Sequence, residues 1–175
     1  MILATMDEKY YESLSAEELG TACFAPIIRA YKEAETNGDD FVETVFNGLS
    51  QGQQQLFPIW ALYVHIRKSE TEFYWWSAYF MARPLRWRGV FGGLRFFGDT
   101  ATLAVLEKME TELKARNHPR SLDRFDVAYG DLEQDAELDA VMKGLYGKLL
   151  DALPYTIEII SSSIRNKHEQ FLELV

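Results

Sequence analysis

"SETEFYWWSAYFMARPLRWRGVFGGLRFFGD", residues 69–99, is the stretch of this chain that decides the fold. Ser69, with Glu72 three residues later, forms a capping box, which marks the start of a helix. Pro84 suits the first turn of a second helix, and Gly98 suits the position just after its end. The stretch therefore predicts two consecutive helices joined by a short turn.

The first predicted helix is apolar on every side. Phe73, Trp76 and Phe80 share one face, and Trp75 and Tyr79 share another. A helix of this kind is typical of a protein interior. We therefore predict that it lies at the centre of the fold.

The second predicted helix carries two glycines four residues apart, Gly89 and Gly93. They form a strip without side chains, which a neighbouring helix or a flat ligand can approach closely. Close packing of a helix is our prediction. Because no strand precedes this segment, we reject a dinucleotide-binding glycine loop.

Capping residues and prolines divide the rest of the chain. Ser15 with Glu18 and Ser50 with Gln53 form two more capping boxes, and Pro26 is predicted to kink or split the first of these helices. The other predicted boundaries are a cap at Asp39, an interruption at Pro58, a cap at Asp99, a stop at Pro119, a loop over 117–130 with one helical turn, a start at Asp131 and a last helix from Pro154 through Phe171. The chain is thus predicted to be all-α, with roughly eight helices in one compact domain over residues 1–175 and no strands.

The chain is acidic, with a net charge of −9 from 27 acids and 18 bases. The charge is uneven, since residues 1–55 carry −7 and residues 131–175 carry −5, whereas residues 56–98 carry +4. An acidic balance disfavours direct nucleic-acid binding, whose affinity comes largely from neutralising phosphates. It suits a protein that meets basic partners.

The location of the protein is predicted from its apolar segments and its cysteine. No apolar run approaches the ~20 residues that a membrane helix needs, and the start of the chain lacks the pattern of a signal peptide. A single cysteine, Cys23, rules out an internal disulfide framework. We therefore expect a cytoplasmic protein without membrane contact.

Acids recur along "DLEQDAELD", residues 131–139. On one continuous helix, Glu133/Glu137 and Asp135/Asp139 are i,i+4 pairs with carboxylates about 6 Å apart, a spacing that resembles successive phosphates. The alternative explanation is ordinary helix electrostatics, which favours acids in a first helical turn. The hypothesis is an acidic interaction face that comprises Asp131, Glu133, Asp135, Glu137, Asp139, Asp39, Asp40 and Glu43.

The arginines of residues 83–95 suggest a different site. Guanidinium groups beside tryptophans can hold a carboxylate or a phosphate, stack on the rings, or pair with acids of the same chain. The same composition describes a single-strand nucleic-acid surface, which the net charge of −9 disfavours. The candidate pocket comprises Trp75, Trp76, Tyr79, Arg83, Arg86, Trp87, Arg88 and Arg95.

Motifs with catalytic or metal-ligand spacing are missing from the sequence. His65 is predicted to be exposed, His118 lies in the loop before Pro119, and His168 falls on the apolar stripe of the last helix. Cys23 lies on an apolar stripe without a basic neighbour, which indicates a buried and inert thiol. We therefore predict no catalytic residue, no metal site and no cofactor.

Four segments resemble one known family, in the same order along the chain. They are "FNGLSQGQQQLF" (46–57), "GGLRFFGDTATLAVLEKMETEL" (92–113), "LDRFDVAYGDLEQD" (122–135) and "SSIRNKHEQFL" (162–172). They are similar to segments of the small, acidic, all-helical bacterial proteins whose family includes a DNA-mimic protein. The resemblance implies an all-helical homodimer and, from the DNA-mimic member, binding of a DNA-binding protein through surface carboxylates.

Two functional hypotheses follow from these patterns. The leading one is a non-catalytic protein that binds another protein through its acidic helix starts, with a basic DNA-binding protein as the sharper version. The alternative is a small-molecule-binding protein or an enzyme that uses the aromatic and arginine pocket around residues 75–95.

Overall fold

The capping residues of the sequence mark most of the helix starts in the folded chain. A computed structural model describes residues 2–175, and within them nine α-helices confirm an all-α fold in one compact domain. The helices are α1 (Glu8–Ser13), α2 (Ala16–Asn37), α3 (Phe41–Thr44), α4 (Gln51–Ile66), α5 (Glu70–Met81), α6 (Pro84–Phe97), α7 (Thr100–Ala115), α8 (Asp131–Gln134) and α9 (Ala136–Asn166).

Two of the three predicted capping boxes are complete. The Ser15 hydroxyl accepts from Glu18 N at 3.3 Å, and the Glu18 carboxylate accepts from Ser15 N at 2.8 Å. Ser50 and Gln53 repeat the arrangement at the start of α4. The third box is only half formed, because the Ser69 hydroxyl accepts from the backbone of α5 while the carboxylate of Glu72 accepts from Trp76 Nε1 at 2.7 Å.

Three prolines that were predicted to kink, interrupt or start helices lie inside continuous ones. α2 runs through Pro26, and α4 runs through Pro58, so the predicted interruption at Pro58 is absent. The 31-residue α9 runs through Pro154, so the prediction that Pro154 starts the last helix is wrong. A proline removes one backbone hydrogen bond. Apolar burial on both sides of Pro154, by Leu149 and Ile160 among others, keeps the helix continuous despite that loss.

Two other predicted boundaries differ from the structure, and one predicted turn agrees with it. Asp40, and not Asp39, caps the short helix α3, since its carboxylate accepts from Val42 N at 2.8 Å. α9 ends at Asn166, before His168, which lies in a 3-10 turn. The predicted helical turn in the 117–130 loop is confirmed as a 3-10 turn over Leu122–Arg124.

A short parallel sheet joins the two ends of the chain, although no strand was predicted. β1 (Ala4–Met6) pairs with β2 (Leu172–Leu174), with Ala4 opposite Leu172. Strands of three residues are too short to show the alternation by which a strand is found in a sequence.

Helix α4 lies at the centre of the domain and packs against α2, α5 and α6. The contact with α6 is close because Gly93 carries no side chain. A Cβ placed there would stand 2.5 Å from the backbone oxygen of Gln55 and 2.7 Å from Ile59 Cδ1. The predicted role of the Gly89 and Gly93 strip in helix packing is thus confirmed.

A buried carboxylate links the last two long helices of the core. Asp99 is 1% exposed and caps α7 by accepting from Thr102 N at 3.0 Å. It also accepts from the Thr156 hydroxyl of α9 at 2.5 Å. These hydrogen bonds satisfy the charge inside the domain.

No helix of residues 2–175 combines the length and the apolar character needed to cross a membrane.

The tight α4–α6 contact predicts opposite effects for two glycine substitutions. Gly93→Ala should lower the free energy of unfolding by about 1–3 kcal/mol, because the new methyl group overpacks against backbone. Gly144→Ala in α9 meets nothing within 4 Å, so it should raise the free energy of unfolding by up to about 1 kcal/mol through helix propensity. Urea unfolding followed by circular dichroism measures both, and equal effects of the two substitutions would contradict the close contact at Gly93.

Candidate functional site

The acidic segment 131–139 does not form one helix. α8 ends at Gln134, and the Asp135 carboxylate caps α9 by accepting from Glu137 N at 3.1 Å and Leu138 N at 3.0 Å. The predicted Glu133/Glu137 pair is therefore divided by the break, and Asp135 stands at the N-cap of α9 and not on the helical face that Asp139 occupies. An Asp side chain that can bond backbone N–H groups two and three residues ahead favours a cap over a helix interior.

One cation from α7 and one from α9 itself neutralise most of this segment. Arg116, at the end of α7, contacts the carboxylates of Asp135 at 3.2 Å and Glu137 at 3.3 Å. Lys143 contacts Asp139 at 2.5 Å. Of the five predicted acids of this segment, only Glu133 is exposed and without a partner among residues 2–175.

The carboxyl groups of Glu70 and Asp139 meet beside Lys143. Burial, and then the adjacent Asp139, raise the pKa of Glu70. The hydrogen bond from Lys143 lowers the pKa of Asp139. Asp139 is therefore the more acidic of the two groups, and Lys143 balances its negative charge. This arrangement also removes Asp139 from an open acidic face.

The second predicted set of acids has a different environment. Asp39, Asp40 and Glu43 are exposed, and they adjoin Glu33 and Glu35 at the end of α2. We call these five residues the acidic tip. None of its carboxylates forms an ion pair with any residue in 2–175, although the Glu35 carboxylate accepts a hydrogen bond from the Tyr31 hydroxyl.

The arginines of the candidate pocket point to different partners, and they do not converge on one site. Each lies against an aromatic ring or an oxygen atom of its own neighbourhood, and Trp87 is a core residue that packs on Phe91. The partners are Tyr79 for Arg83, Tyr31 for Arg86, the Pro84 oxygen for Arg88, and Phe91 with Glu107 for Arg95.

The half-buried aromatics of α5 pack against the loop of residues 117–130. Trp75 stacks between Tyr79 and Tyr129, with ring centroids 5.1 Å and 5.3 Å away. Phe125 meets Trp75 edge-on at 5.6 Å, and Trp75 Nε1 donates to the Val127 carbonyl at 3.1 Å. We call this arrangement the aromatic clamp, and it holds the second half of the loop against the core.

His118, which the sequence places in a loop, anchors the first half of the 117–130 loop to α5. The Tyr74 hydroxyl lies 2.9 Å from His118 Nε2 and donates to Asp131 Oδ2 at 2.9 Å. The Tyr74 hydroxyl therefore bridges the His118 ring and the Asp131 carboxylate. This cluster joins residues 44 and 57 positions apart, so no local pattern reveals it.

The remaining histidine and cysteine predictions have mixed outcomes. His65 is not fully exposed, because its ring stacks on Trp76 at a centroid distance of 3.6 Å, and burial lowers its pKa. Cys23 is buried as predicted, and burial raises the pKa of its thiol to about 12. A thiol with that pKa is not a nucleophile at neutral pH.

Neither a metal centre nor a known relative identifies a site. Residues 2–175 contain no group of three or more histidine, cysteine, aspartate or glutamate side chains placed to hold a metal ion. No protein-family model, curated protein or solved structure matches the chain. The resemblance to the DNA-mimic family therefore stays a prediction.

The His118 anchor predicts a pH-dependent stability. Burial, which outweighs the nearby Leu113 carbonyl and Asp131 carboxylate, holds the pKa of His118 below 6.5. The stabilisation that depends on neutral His118 should therefore be complete above pH 6.5. It should be lost as the pH falls from 6.5 through the lower pKa of His118 in the folded protein. Urea unfolding between about pH 7 and pH 5 should show a steeper loss for the wild type than for His118→Asn. His65 titrates in both proteins and cancels, so parallel pH profiles would contradict the assignment.

Proposed function

We propose that this protein is a non-catalytic interaction domain that binds a basic partner protein through the acidic tip. The observation that carries the proposal is the position of the tip at the C-terminal end of α2, where the last turn has an acid and no base. Negative charge there is disfavoured by the helix dipole, by about 0.3–1 kcal/mol per residue. Helix electrostatics accounts for acids at helix starts, but it does not account for Glu35 in the last turn of α2.

The surroundings of the acidic tip also fit an interaction surface. None of its carboxylates forms an ion pair with a residue of 2–175, so a partner can bind them without breaking an existing pair. Val42, between Asp40 and Glu43 in the sequence, is 50% exposed and adds apolar area beside these charges. Unpaired charge around a small apolar centre gives fast, oriented association with a complementary basic surface.

The partner class follows from the charge of the tip. A lysine- and arginine-rich surface is the complement, and DNA-binding proteins carry such surfaces where they neutralise phosphates. In this version of the proposal the acidic tip occupies the DNA site of the partner. The 131–139 segment gives little support to such mimicry, because Arg116 and Lys143 neutralise three of its five acids.

Charge reversal of the acidic tip tests the proposal. The tip variant is Glu33→Lys, Asp39→Lys and Glu43→Lys, and it keeps Asp40 because that residue caps α3. The matched control is Glu133→Lys, Asp151→Lys and Glu158→Lys, three exposed acids elsewhere with the same change in net charge. Immobilised wild type and control should retain the same basic proteins from a lysate and release them at moderate salt, whereas the tip variant should retain none of them.

Two outcomes of that capture experiment contradict the proposal. Equal loss by the tip variant and the control would mean that overall acidity, and not the tip, retains the basic proteins. Equal retention by all three proteins would mean that the tip is not the interface. Addition of duplex DNA separates the two partner classes, since release by DNA is expected only where the tip occupies a DNA site.

The same tip variant should have a free energy of unfolding within about 1 kcal/mol of the wild-type value. Lysine near the C-terminal end of α2 is favoured by the helix dipole, whereas lysine in place of Glu43 is disfavoured in the first turn of α3, so the two effects largely cancel. Urea unfolding at low salt measures the difference. A much larger decrease in stability would show that the tip carboxylates have a structural role inside the fold.

A further inference from the structure

A second charged feature lies on the 117–130 loop. Its first half borders an open depression of about 520 Å³, a volume typical of sites for small ligands. The lining residues are Asn117, Pro119, Arg120, Ser121, Arg124 and Asp126. None of them belongs to the pocket that the sequence suggested around residues 75–95.

Two arginines of this depression are unpaired. Seven of the ten arginines in residues 2–175 contact a carboxylate, a carbonyl oxygen or an aromatic ring, but Arg29, Arg120 and Arg124 do not. Asp123 and Asp126, the acids of the same loop, form no ion pair with Arg120 or Arg124, although the chain has 27 acids in all. Two unpaired guanidinium groups on one depression supply a pair of planar donors for a phosphate or carboxylate.

The backbone that carries these arginines is held at both ends. Asn117 terminates α7 in the left-handed conformation, with φ 58°, and His118 is anchored to Tyr74. Ser121 caps the 3-10 turn by accepting from Asp123 N at 3.3 Å, and the aromatic clamp fixes the chain from Phe125 onward. A ligand that binds here therefore orders little of the loop, which lowers the entropic cost of binding.

The neutral and acidic residues of the depression define the ligand further. The Asn117 amide and the Ser121 hydroxyl offer additional donors. Asp126 accepts hydrogen bonds and repels a bare anion, so it favours a ligand whose hydroxyl groups face it while its anionic group faces the arginines.

From this arrangement we propose that the depression binds a small phosphate ester with free hydroxyl groups, of the sugar-phosphate class. Arg120 and Arg124 hold the phosphate, and Asp126 accepts from a hydroxyl group of the sugar. The site is independent of the acidic tip, which lies on α2 and α3, and it is held in place by the aromatic stretch of α5.

Backbone amide NMR titration of the full chain tests the site. Ribose 5-phosphate should shift the amide signals of residues 117–126, whereas ribose alone should not. Arg120→Gln and Arg124→Gln should each weaken binding by about tenfold, the loss expected for one charge-assisted pair. Arg29→Gln is the matched control, because Arg29 is the other arginine without a contact, and it should leave binding unchanged.

A further variant distinguishes binding of the phosphate ester from binding of phosphate alone. Asp126→Ala should strengthen the binding of inorganic phosphate more than the binding of ribose 5-phosphate, because it removes the repulsive charge for both ligands but removes the hydroxyl acceptor for the ester alone. Three results would overturn the proposal: no shifts in residues 117–126 at millimolar ester, the same shifts with ribose alone, or an equal loss of affinity in Arg29→Gln.

Discussion

The close approach of α6 to α4 is the constraint on which the rest of the fold depends. Without a side chain at Gly93, the two helices meet at the backbone of Gln55, and Ile59 fills the space beside it. α5 connects these two helices in the chain, so it must fold back over the same core. That geometry buries one side of its aromatic run, including Phe73 and Tyr74, and leaves the other side for the 117–130 loop.

The aromatic run of α5 thus acts as a support for a loop, and not as the wall of a pocket. The Trp75 ring stacks on Tyr79 and on Tyr129, and its N–H donates to the Val127 carbonyl. Little of the Trp75 side chain therefore remains for a ligand. The stability of the loop and the stability of the core are therefore linked. The aromatic residues of α5 therefore hold the Arg120 and Arg124 depression in place without lining it.

The two sets of acids differ in the cations that lie beside them. The end of α7 brings Arg116 to Asp135 and Glu137, and Lys143 lies one helical turn from Asp139 in α9. The acids at the end of α2 form no ion pair within residues 2–175, and the helix dipole opposes Glu35 in the last turn. Charge pattern alone does not separate a structural carboxylate from an available one, since the difference depends on what the fold places beside it.

Local chemistry in the sequence determined the helical class, most helix starts, the Gly93 contact and the burial of Cys23. Capping boxes, glycine spacing and apolar stripes act over a few residues, so they can be recognised without a structure. Only the tertiary structure decided that α9 continues through Pro154, that Asp135 begins it, that two three-residue strands join the termini, and that His118 bonds Tyr74. Each of these depends on partners far away in the chain, whose packing outweighs the local preference, and the same is true of which charges remain unpaired.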